Sequence, residues 1–126
     1  MSLQSPLGRV LGLGSAKEGV GHWWAQRLTS MALAPLSLFV VWLIFRLMGA
    51  DYGQTHAMIG HPVVAVLLIS FVLCLYYHGQ LGLQVIIEDY IHHWGVELTL
   101  LVLIKFSAFL LSAASVLAIT RIALSA

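Results

Sequence analysis

Four side chains in this sequence have the types and spacing to do chemistry together: Arg27, His78, Asp89 and Tyr90. His78 stands deep inside an apolar run, and the paired acids Glu88-Asp89 close that run. On a helix, positions 78, 82, 85 and 89 share one face and read His, Gly, Val, Asp. The histidine and the aspartate then stand roughly 16 Å apart along the axis. A neutral imidazole at such a position has two readings. It is an axial ligand of a b-type haem, or it is satisfied by a hydrogen bond to a neighbouring helix. Gly79 and Gly82 leave room for a porphyrin and equally suit close helix packing. At the other end of the stripe, Asp89 and Tyr90 could hydrogen-bond a quinone carbonyl and supply protons, with the phenol remaining neutral. An aromatic interfacial belt with a solvated acid explains the same pair without chemistry. Arg27 could clamp a haem propionate or a quinone carbonyl with its planar fork, or serve only as a positive anchor at a membrane surface.

The elements that must position these groups follow from composition. The chain has 126 residues, 60% of them hydrophobic and 9% charged, with a mean hydropathy of +0.96. Soluble domains carry about 25% charged residues. Such a chain cannot cover itself in water, and we read it as one all-α integral membrane domain. An interfacial arm of about residues 1–22, rich in Gly and Ser, precedes three transmembrane helices at about 24–49, 61–88 and 95–122. Each span is long enough for about 30 Å of hydrocarbon. Trp23-Trp24 mark one membrane–water interface, and Tyr90, His92, His93 and Trp94 form a second belt. Pro35 lies inside the first span, where neighbouring helices can re-satisfy the backbone. Gly49 to Gly60 read as a polar turn, Pro62 suits a first helical turn, and Gly95 permits the second turn. Arg9, Lys17 and Arg27 flank the start of the first span, while Arg46 and Arg121 lie across the membrane. This bias predicts a cytoplasmic amino terminus. With no signal-peptide pattern in the arm, the expected location is the bacterial inner membrane, with several crossings.

Other functions are excluded by what is missing. A net charge of +1 leaves no nucleic-acid footprint. Cys74 is the only cysteine and builds neither a disulfide nor a cysteine-based metal cluster. No P-loop, nucleophile elbow, zinc motif or dinucleotide fingerprint occurs. A bis-histidine haem would need a second histidine at the depth of His78. The first and third spans contain none, and His61 lies roughly 25 Å along the same helix. The second ligand would therefore come from another polypeptide. His22, His92 and His93 read as surface residues or as contacts to other chains. Lys105, about ten residues into the third span, can snorkel to the interface or meet another subunit or a propionate.

His78, Gly82, Gln84-Val85 and Asp89-Tyr90, together with Gly21-His22-Trp23-Trp24 through Arg27-Leu28-Thr29, resemble the small hydrophobic membrane anchors of succinate dehydrogenase, respiratory complex II. The phrase Gly-Leu-Gln-Val-Ile-Ile-Glu-Asp-Tyr is similar to the alphaproteobacterial and mitochondrial branch. The first and third spans match mainly in hydrophobicity. The resemblance implies a subunit that is not catalytic alone and packs with a second membrane anchor, cytochrome b556. It implies a haem b shared with that anchor, His78 being one axial ligand. Tyr90 would bond ubiquinone with Asp89 in support, and Arg27 would approach the propionates or the quinone pocket. A flavoprotein and an iron–sulfur subunit would dock on the cytoplasmic face, passing electrons from succinate to ubiquinone. The same architecture serves fumarate reductases and other quinone-linked anchors. A small non-redox transporter or assembly subunit would explain the spans, but not the clustering of Arg27, His78, Asp89 and Tyr90.

Overall fold

In a computed structural model, residues 7, 10 and 19–125 are described, and the described chain is helical apart from short turns. We label four helices: α1 (Gly19–Leu47), α2 (Tyr52–Gly60), α3 (Pro62–Tyr90) and α4 (Trp94–Ser125). Three of them, α1, α3 and α4, are long and apolar enough to cross a membrane. The all-α membrane fold read from composition is therefore the observed one. Most of the expected interfacial arm lies outside the described residues; its last part, from Gly19, is already the first turn of α1.

Long apolar helices form here because the bilayer offers backbone groups no water and a helix satisfies them internally. Side-chain hydroxyls follow the same rule. Thr29, Ser30, Ser70, Thr99, Ser115 and Thr120 each donate to the carbonyl four residues back. Pro35 sits within α1 without ending it.

The turns correct two expectations. Gly49 leaves α1 in the left-handed region, with φ +82°, a conformation that costs glycine little. The segment expected as a polar turn then folds into the nine-residue helix α2. Asp51 caps it by accepting from the Gln54 backbone N–H at 2.8 Å, and the Gln54 side chain accepts from the Asp51 N–H at 3.3 Å. This reciprocal box satisfies two donors that a helix start leaves open, which outweighs the low helix propensity of Gly53. Between α3 and α4 the turn is made by Ile91–His93 rather than at Gly95, which lies in the first turn of α4. The His93 carbonyl accepts from Val96 and Glu97, starting that helix.

α3 is the middle element. It packs against α1 on one side and α4 on the other, while α1 and α4 make at most marginal contact. α2 lies across the far end, against α4 and α3, and Ser125 of α4 meets His56 of α2 at 3.2 Å. The buried apolar side chains are few: Leu43 of α1 and Ala65, Leu81 and Ile87 of α3. α4 has none, and large apolar residues such as Leu103, Phe106, Phe109 and Leu117 are exposed along it. Helices apolar all round are covered by lipid or by other membrane helices, so most of this chain's apolar surface is completed from outside it.

Candidate functional site

α3 carries His78 near its middle and Asp89-Tyr90 at its end. His78 is half-buried. Its Nδ1 lies 2.9 Å from Thr29 Oγ1 and 3.5 Å from Ser30 Oγ, both on α1. Among the described residues Nε2 makes no hydrogen bond. Of the two sequence readings of His78, the hydrogen bond to a neighbouring helix is present, at Nδ1, and it leaves Nε2 without a partner among the described residues. Thr29 was not singled out from the sequence, because nothing in the pattern of either helix tells which α1 residue faces position 78.

The stripe 78, 82, 85, 89 starts against α1 and ends exposed at Asp89. A Cβ placed on Gly82 would come 3.7 Å from Gln26 Nε2 of α1. Gly82 therefore faces α1 with room for a Cβ in ordinary contact, and the packing does not itself demand a glycine there. Gly79 differs: a Cβ there would meet nothing within 4 Å, so the surface beside His78 is open. Asp89 and Tyr90 project from the end of α3. Asp89 is exposed, and Tyr90 is 76% exposed. No hydrogen bond within the described residues holds either side chain.

Arg27 is exposed and lies over the Trp23 ring of its own helix, 5.3 Å from the centroid. Positions 27 and 29 are roughly 200° apart around a helix. While Thr29 meets His78, Arg27 points to the other side of α1. The structure thus joins His78 to α1 but brings neither Arg27 nor the Asp89-Tyr90 pair into contact with it.

A second polar line runs along α3. Gln80 donates to Gln84 at 3.4 Å, and Gln84 donates to Glu88 at 2.8 Å. It borders two grooves that Lys105 of α4 shares. One, about 440 Å³, includes Thr29, Cys74, Tyr77, Gln80 and Ser112. The other, about 720 Å³, includes His22, Tyr77, Gln84 and Glu88. His22 Nε2, at this second groove, and Gln26 Oε1 are buried without a hydrogen-bond partner among the described residues. His92 and His93 are exposed in the α3–α4 turn. The i, i+4 spacing of Gln80, Gln84 and Glu88 was the sequence signal for this line.

The donor set suits a metal centre shared between chains rather than one enclosed by this chain. No group of three or more His, Cys, Asp or Glu side chains converges among the described residues. What is present is one imidazole with Nδ1 engaged, Nε2 free and open space beside it, which fits one side of a haem.

Comparison with known proteins bears on the membrane fold and the family. Residues 1–119 match the family described as succinate dehydrogenase/fumarate reductase transmembrane subunit. The succinate dehydrogenase hydrophobic membrane anchor subunit of Rickettsia bellii (strain RML369-C) is 32% identical over 106 residues, which is 84% of this chain and 85% of that protein. That of Paracoccus denitrificans is 30% identical over 115 residues, 91% of this chain and 88% of the relative. The succinate dehydrogenase membrane anchor subunit of Reclinomonas americana is 30% identical over 97 residues, 73% and 79% of the two chains. No solved structure matches the chain significantly.

Proposed function

The chain belongs to the succinate dehydrogenase/fumarate reductase transmembrane-subunit family, as a multi-pass membrane anchor not catalytic alone, and on that premise we propose that it anchors a succinate:ubiquinone oxidoreductase, lending one axial histidine to a haem b and one wall to a ubiquinone site. The relatives' names favour succinate oxidation over fumarate reduction. The proposed setting is the bacterial inner membrane with the amino terminus in the cytoplasm, following the Arg9, Lys17 and Arg27 bias.

The observation that carries the haem reading is His78: half-buried in the middle of α3, free at Nε2 and alone at its depth. An ionisable side chain inside a span is expensive and marks function by default. When bound, haem b supplies a one-electron store beside the quinone site. His78 would hold it from this chain, and the second imidazole would come from the companion anchor, cytochrome b556. A Cβ on Gly79 would meet nothing within 4 Å, so α3 leaves room for a neighbour next to His78.

At the α3 end, Tyr90 donates its hydroxyl to a ubiquinone carbonyl oxygen, and Asp89 stands beside it as a proton source from the aqueous side. Reduction of ubiquinone consumes two electrons and two protons, so a donor that reaches water is what the site requires. Both side chains are exposed in the isolated chain, as expected of groups that close a pocket only against other subunits. The iron–sulfur and flavoprotein subunits dock on that same face and deliver electrons from succinate. Arg27, exposed over Trp23, is available to a propionate or a quinone from the outer side of α1.

The test is a reduced-minus-oxidised spectrum of the purified complex, wild type against His78→Ala. Loss of the b-type bands with dye-linked succinate oxidation intact is the expected result. An unchanged bis-histidine signal in the variant would remove the ligand assignment.

A further inference from the structure

We propose that Thr29 is the positioning residue of the His78 imidazole: it holds the ring proton on Nδ1 and leaves the Nε2 lone pair free for iron. This rests on the reading of His78 as an axial ligand and adds the residue that fixes its tautomer and rotation.

The argument is one of donors. Thr29 Oγ1 lies 2.7 Å from the Ala25 carbonyl oxygen and 3.1 Å from that of Gln26. Carbonyls only accept, so the single hydroxyl proton is committed to its own helix. What Oγ1 turns toward α3 is a lone pair. With that proton kept on its own helix, His78 Nδ1, 2.9 Å away, is the donor in the proposed contact. Ser30 repeats the arrangement more weakly: its Oγ is 2.7 Å from the Gln26 carbonyl and 3.5 Å from Nδ1. Two hydroxyls on one turn of α1, both with their protons tied to carbonyls, thus face the same ring nitrogen. A neutral imidazole has one N–H, and here it is Nδ1–H. Nε2 is bare.

Within a span there is no bulk water to satisfy Nδ1 instead. The bond also fixes the ring plane, because Thr29 is β-branched and stiff at χ1. A metal-bound histidine whose other N–H is held by an acceptor is oriented and made more basic. A more basic axial ligand favours the oxidised iron, so this bond lowers the haem potential.

The test uses the intact purified complex with T29V, T29S, the double variant T29V/S30A, and His78→Ala in parallel. T29V keeps the shape and removes the acceptor; T29S keeps the oxygen. Readouts are haem per complex, the low-spin ferric EPR signal and the haem midpoint potential, with dye-linked succinate oxidation reporting assembly. In T29V the potential shifts upward, the EPR signal moves, and haem affinity falls about 10- to 100-fold, the usual cost of losing such a partner, so haem per complex drops on dilution or washing. T29S stays near wild type, and T29V/S30A exceeds T29V. Unchanged potential, EPR signal and retention in both T29V and T29V/S30A overturn the proposal, even where His78→Ala has lost its haem. If His78→Ala keeps the bis-histidine signal, the ligand reading itself has failed. Should T29V not assemble, T29A removes the same oxygen without added shape and is read by the same three measurements.

Discussion

The middle of α3 and its end make an instructive pair. Both carry residues suited to redox chemistry, on one helix and about three turns apart. His78 is half-buried and bonded across to α1, with Gly82 one turn on facing Gln26 of α1. Asp89 and Tyr90 are exposed, with no side-chain hydrogen bond among the described residues. One site is preorganised on its own chain's side; the other has its groups on a rigid helix end but none of its walls. The difference follows the chemistry. On the proposed reading, a metal ligand gains from a partner that orients it, whereas a site that exchanges substrate with the membrane and protons with water would be closed where several subunits meet.

The largest expected effect separates the two ends. His78→Ala removes the whole b-type absorbance of the complex, while Tyr90→Phe leaves that spectrum as it is. Next, Tyr90→Phe lowers ubiquinone reduction about 100-fold, within the range that a positioned proton donor contributes, with dye-linked succinate oxidation unchanged. Equal loss of both activities would assign Tyr90 to assembly instead. A third comparison concerns packing. Leu81, one turn from His78 and 5% exposed, costs about 2–4 kcal/mol of stability when cut to Ala. Ile86, 54% exposed, costs less than about 0.5 kcal/mol, provided lipid rather than a partner covers it. Thermal loss of the haem spectrum in the purified complex measures both. The smallest effect is at α2: Asp51→Ala breaks the capping box and costs about 1 kcal/mol in the same melt, with the haem potential unmoved.

The spans were legible because the solvent writes them: long apolar stretches bounded by tryptophans and charges have one physical meaning. The depth of His78 and the lack of a histidine to match it followed from counting along a helix. α2 was not read, although Asp51-x-x-Gln54 is a capping-box spacing; the glycine between them and the segment's polarity suggested a turn. The Thr29–His78 contact was out of reach for a deeper reason. The two residues are 49 positions apart, and their meeting depends on the rotation of α1 against α3. In water an apolar stripe would announce that rotation. Helices apolar all round carry no such mark, and the polar residues that do mark it, Gln26, Thr29 and Ser30, look like ordinary span hydroxyls and amides until a neighbour is placed beside them. Arg27 shows the same dependence on rotation. Its nearness to Thr29 in sequence places it on the far side of α1.

The arrangement of α3 between α1 and α4 also sets an order of events during synthesis. Each crossing packs on the crossing made just before it, so no helix entering the bilayer waits for a later one to find its place. Contacts of this kind are local along the chain, which favours rapid assembly. Thr29 and His78 stand on the first and second of these crossings, so the contact that orients the ring uses no residue of α4 and none of another chain.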